Sequence, residues 1–176
     1  MSVMVMPGTL NCLTIDTMII YNSFWFPGKI HSLNELLNFK SGGSPMKKTW
    51  LVHAGKNPGT FRYNKYNTIK ADWKEKVVAV VKHTGFIQVE ACYFSYLVVE
   101  KTRKRDPSNI ASAATKFIED GLIEAGVMPN DGWDNVLGIN CYWELDRPGE
   151  AGVFVLMTDS EMLKKDVLSI YGKRPR

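Results

Sequence analysis

Apolar residues recur along the chain with two different periods, and the switches between them divide it into elements. Met18 to Phe26 is rich in aromatic and β-branched residues and stops at Pro27-Gly28, which predicts a first strand. Ile69, Trp73, Val77, Val80 and Val81 return at intervals of three and four, so they line one face of a helix capped by Thr68 and closed by Gly85. Phe86 to Glu100 reads as a long strand. Helical spacing then resumes at Ile110, Ala113, Ala114, Phe117, Ile118, Gly121, Leu122 and Ala125. Asp106 is its N-cap, Pro107 its first residue and Gly126 its terminator. Beyond the turn at Asn130-Asp131-Gly132, strands over Val136 to Glu144 and Val153 to Met157 flank Asp146-Arg147-Pro148-Gly149 and form an antiparallel pair. Thr158 and Glu161 make a capping box for a short helix to about Tyr171, and Lys173, Arg174 and Arg176 follow it.

This order predicts an α+β fold: one domain with a mixed or antiparallel sheet and helices packed on one side. A chain of 176 residues is long enough to bury one good core. Residues 1–17 show no periodicity and read as an N-terminal extension to a domain over 18–176. Within that domain, residues 40–66 are rich in Gly, Ser, Pro, Asn and Lys, interleaved with Trp50, Phe61, Tyr63 and Tyr66. That composition predicts an irregular basic loop, with a short strand over Thr49 to His53.

Charge sharpens the picture. Residues 40 to 76 carry nine Lys or Arg against two acids, a local excess of seven in a chain whose net charge is only +4. The remainder is therefore acidic, and the basic character is local, as an electrostatic footprint on nucleic acid requires. Cys12, Cys92 and Cys141 lack the paired spacing of a zinc site and fit a reduced, cytoplasmic protein. The first basic residue is Lys29 and no apolar run reaches the ~18 residues of a membrane span, so neither export nor membrane insertion is expected.

The strand ending at Glu100 leads through Lys101, Arg103, Lys104 and Arg105 into Asp106, and Asp131 follows the next helix by five residues. Mg²⁺ takes hard oxygen ligands, usually one or two carboxylates with water and substrate phosphate, and Asp106 and Asp131 could supply them. Lys116 would neutralise charge developing on the phosphate. Helix capping accounts as simply for Asp106, turn chemistry for Asp131, and a surface pair for Lys116 with Asp120.

Arg105-Asp106-Pro107-Ser108-Asn109, Lys116, Asp120-Gly121-Leu122, Ala125-Gly126 and Asn130-Asp131 together resemble the core motif of RusA-type Holliday junction resolvases. Phe26-Pro27-Gly28-Lys29 with Ser32-Leu33-Asn34-Glu35 resembles the loop after the first strand in prophage-borne members. The chain departs from the pattern twice: Lys116 lies seven residues after Asn109 rather than three, and Ser108 stands where a second aspartate is expected. The resemblance implies a homodimeric, Mg²⁺-dependent endonuclease, with Mn²⁺ able to substitute, that nicks four-way DNA junctions symmetrically in recombination and repair. Asp106, Lys116 and Asp131 would be catalytic. Asp106 and Asp131 would hold the metal, aided by Asp120 or a water on Ser108. Arg103, Lys104, Arg105, Lys47, Lys48, Asn34 and Asn109 would contact DNA. Loss of a carboxylate at Ser108 leaves a second expectation, a junction-binding protein that cuts slowly or not at all.

Overall fold

The computed structural model describes residues 4–5, 13–15, 18–32, 35–36, 58–146 and 148–173. In chain order its elements are β1 (Met4–Val5), β2 (Leu13–Ile15), β3 (Met18–Pro27), α1 (Pro58–Thr84), β4 (Cys92–Glu100), α2 (Pro107–Glu124), β5 (Val136–Leu145), β6 (Gly152–Thr158) and α3 (Lys164–Gly172). The strands form one sheet in the order β1-β2-β3-β6-β4-β5. Every pairing is antiparallel except that of β4 with β5. The architecture is thus α+β, a single mixed sheet with helices, as the element pattern predicts.

Two interior strands explain their own position. All seven residues of β6 are buried, and β4 is buried over most of its length, so both read as continuous apolar runs rather than alternating ones. Strand β3 alternates, but its register with β6 slips between Ile20 and Asn22. The bulge sends Ile20 to one face of the sheet while Phe24 and Phe26 join the other.

That second face carries the main core, where Phe94, Tyr96, Val98 and Val155 pack under α1 and α2. The two helices approach very closely: a Cβ at Gly121 would lie 2.5 Å from that of Val77. Lys70 and Lys74, one turn apart on α1, then pair with Asp120 and Glu124, one turn apart on α2. The opposite face is covered by α3, whose Val167 and Ile170 meet Ile20, Leu97, Phe154 and Leu156. The two long helices therefore share one side, and the short C-terminal helix takes the other, so the helices do not all pack on one side as expected.

Several local expectations are corrected. α1 begins at Pro58, ten residues before Thr68, so residues 58–66 belong to a helix rather than a loop. Pro58 suits a first helical position, and the extra turns bring the Tyr66 ring to 5.7 Å from that of Phe117. Residues 40–57, with the strand expected over 49–53, lie outside the described residues. β4 starts at Cys92, not Phe86. The segment between is held as irregular chain by the buried Asn22 amide, which bonds both the N–H and the C=O of Ile87. β5 and β6 are not partners, because β4 lies between them. Thr158 ends β6 instead of capping a helix, and α3 starts after Leu163 with no side-chain cap.

Candidate functional site

Two clusters sit at opposite ends of α2. At the start, the chain leaves β4 through a basic run whose last member is largely but not fully buried. Arg105 is only 11% exposed and bonds Glu100, the carbonyl of Ile30 and Glu35, the last at 2.8 Å. Burial works against a charge on Glu35, but Lys29, the Ser32 N–H and Arg105 outweigh it and hold the carboxyl at about 2. Arg105, expected as a DNA contact, thus ties β4 to the chain after β3 through partners within the chain. Arg103 and Lys104 are exposed. Asn34, Lys47 and Lys48 lie outside the described residues.

Asp106 caps α2. Its Oδ1 accepts from the Ser108 N–H at 3.1 Å and the Ser108 hydroxyl at 2.8 Å, and its Oδ2 accepts from the Asn109 amide at 2.8 Å. The Ser108 hydroxyl, with the neighbouring N–H groups and Asn109, holds this exposed carboxyl below its usual range. Ser108 and Asn109 therefore both serve the cap.

Ten residues further on, roughly 15 Å along the axis at 1.5 Å per residue, the second cluster forms. The Lys116 ammonium lies 2.7 Å from Asp131 and 3.0 Å from Asp120, so one cation bridges two carboxylates from different elements. Gly126, at φ 78°, turns the chain out of the helix, and the loop returns Asp131 alongside it. The bond to Asp131, then that to Asp120, raises the Lys116 pKa, while Lys116 lowers that of Asp131. Asp120 Oδ2 is buried and lacks a hydrogen bond, although the Lys70 ammonium is 2.6 Å away. The structure joins Lys116, Asp120 and Asp131 and leaves Asp106 apart from them, so the expected Asp106–Asp131 pocket does not form within the chain.

Behind this cluster is a residue the sequence reading passed over. Glu119 is 7% exposed and accepts from the buried Tyr96 hydroxyl at 2.9 Å. Burial raises its carboxyl to about 7 against the bond from Tyr96, and Asp131 and Asp120 add to the rise. Its signal was positional: Glu119 stands three residues before Leu122, within the apolar stripe, where an acid needs a partner. Beneath it, burial lifts the thiols of Cys92 to about 12 and Cys141 to about 11, so neither is a ready nucleophile.

Of the basic segment, three described side chains are accounted for. Lys70 and Lys74 pair with α2, and Lys76 bonds the Pro27 carbonyl beside the Trp73 ring. Trp133 is 98% exposed two residues from Asp131. Among the described residues no three His, Cys, Asp or Glu side chains form a metal-holding group. Asp120 and Asp131 do offer two carboxylates around the Lys116 ammonium, with Asp120 Oδ2 also ion-paired to Lys70 at 2.6 Å. That donor set suits Mg²⁺. No helix among these residues is long and apolar enough to cross a membrane. In sequence comparison, no protein-family model and no curated protein matches the chain.

Proposed function

We propose that this protein is a Mg²⁺-dependent, structure-specific endodeoxyribonuclease of the RusA type that cuts four-way DNA junctions by paired, symmetric nicks. The observation that carries the reading is the placing of Asp120 and Asp131 around the single ammonium of Lys116. Asp120 and Asp131 would hold the ion, which supplies Lewis acidity toward phosphate and a more acidic bound water. Lys116 would neutralise charge developing on the phosphate oxygens. Arg103 and Lys104 meet the DNA backbone, so binding weakens steeply with salt. The motif resemblance supports the junction as substrate and a cytoplasmic, recombination-related setting.

A homodimer suits that substrate, because a two-fold assembly presents one site to each of two symmetry-related strands. β5 is an outer strand of the sheet and exposes Leu137 and Ile139, which offers a second copy an apolar surface.

A second reading has its own support. Asp106 is occupied by capping and Ser108 is neutral, so a protein that binds junctions without cutting them fits the amino-terminal end of α2. Incubating a synthetic four-way junction with Mg²⁺ or Mn²⁺ separates the two. The nuclease reading expects symmetric nicks, lost by about 100-fold or more in Asp131→Asn. Cleavage untouched by that change removes the assigned centre, and nicking gained only with Ser108→Asp selects the binding protein.

A further inference from the structure

A cavity of about 370 Å³ opens where β4 and β5 end, at the far end of α2 from the Lys116 cluster. β4, α2 and β5 form a parallel strand-helix-strand unit, and Glu100 and Leu145 are its last paired residues. From there one segment leads into α2 and the other crosses the end of β4 toward β6, so the cavity lies outside the carboxyl ends of the strands, the usual place for a small ligand in such units.

The lining has three chemistries. Ile110, Pro107, Leu145 and Trp143 give apolar and aromatic wall. Glu100 and Glu144 give acceptors, but Arg105 neutralises the first and Lys164 stands 3.5 Å from the second. Arg103 therefore remains as a cation without an ion pair among the described residues, flanked by exposed Lys101 and Lys104. The volume lies at the lower end of the range for small-ligand sites, on the order of 300–1,000 Å³. An occupant that matches all of this has one anionic group for the mouth, a flat body for the indole wall, and a few donors for Glu144.

We propose that this cavity binds a nucleoside monophosphate group, free or at the 5′ end of a DNA strand, with the phosphate against Arg103 and the base against Trp143. The site is separate from the Lys116–Asp131 centre and needs no metal. Its chemistry is recognition, and no bond is made or broken there.

Calorimetric titration in chelator, where cleavage cannot occur, tests it with the full chain. Deoxynucleoside monophosphates are expected to bind more tightly than either inorganic phosphate or the deoxynucleoside alone. Arg103→Glu should weaken binding at least tenfold, and Leu145→Trp, which fills the cavity, should abolish it while circular dichroism stays unchanged. An oligonucleotide with a 5′ phosphate binding better than its dephosphorylated twin assigns the site to strand ends; equal binding of the two assigns it to free nucleotides. The proposal is overturned if mononucleotides fail to bind at millimolar concentration. It is equally overturned if phosphate alone binds as well, or if Arg103→Glu and Leu145→Trp bind like the parent. Junction cleavage can fail while this binding holds, and the reverse, so the two readings are tested apart.

Discussion

The two ends of α2 handle negative charge in opposite ways. At the amino-terminal end Asp106 is fully solvated and satisfied by Ser108 and Asn109, residues two and three positions away. At the other end, Asp131 reaches Lys116 across fifteen positions, Lys70 arrives from another helix, and Glu119 is buried behind them. The first arrangement stabilises a helix start and depends on nothing distant. The second exists only when the tertiary fold is complete, and it holds charges that repel one another in a confined space. A carboxylate used for local structure is satisfied locally; one poised for exchange of partners sits in a cluster such as the second.

The largest expected effect tests whether these ends are one site or two. Asp106→Asn keeps a good capping residue, so it removes charge without removing the cap. If the centre is Asp120 with Asp131, cleavage in Asp106→Asn stays within about tenfold of the parent, whereas Asp131→Asn loses about 100-fold or more. Equal losses, measured as initial nicking rates on one junction, would show that bound DNA or a second subunit unites the two ends.

Glu119 gives the next effect. Its folded-state carboxyl is raised from 4.5 to about 7 by burial. Between those pH values the folded chain holds a proton that the unfolded chain has released. Stability from this group is therefore full below about pH 4.5 and is lost as pH rises through 7. A rise of that size corresponds to on the order of 3 kcal/mol at most. Glu119→Gln preserves an acceptor for the Tyr96 hydroxyl and removes the titration. Urea denaturation at several pH values should show the parent losing stability from pH 5 to 8 and the variant losing much less; identical slopes would mean that Glu119 is ionised throughout.

How far this contrast could be read from the sequence follows from the span of its interactions. The limits of α2 were legible because Asp106, Pro107 and Gly126 act within a few residues of where they stand. The order of Lys116, Asp120 and Asp131 was legible too, as was the pairing of Lys116 with Asp120 one turn on, but the contact with Asp131 was not, since it depends on the loop after Gly126 returning alongside the helix. Arg105 read as one more exposed cation because two of its partners, Ile30 and Glu35, lie 75 and 70 positions earlier. The neighbour of β5 was misassigned for a similar reason: alternation marks a strand but not which strand it joins. The continuous burial of β6 was the available clue that it needed a partner on both sides.

The smallest effect isolates the cap itself. Asp106→Ala removes the acceptor of the Ser108 N–H and hydroxyl and of the Asn109 amide, while Asp106→Ser replaces it with another good capping group. Thermal unfolding should place Asp106→Ala a few degrees below the parent, with Asp106→Ser close to it. The lowered pKa of Asp106 fixes the sign of the pH dependence: its contribution is present above the ordinary aspartate range and disappears as pH falls through the depressed folded value. The deficit of Asp106→Ala should accordingly shrink in acid. A deficit that persists undiminished at pH 2 would show that the carboxylate charge contributes nothing to the cap. A deficit much larger than a single cap would mean that Asp106 supports the clamp at Arg105 as well, and the amino-terminal end of α2 would then be as dependent on distant partners as the other.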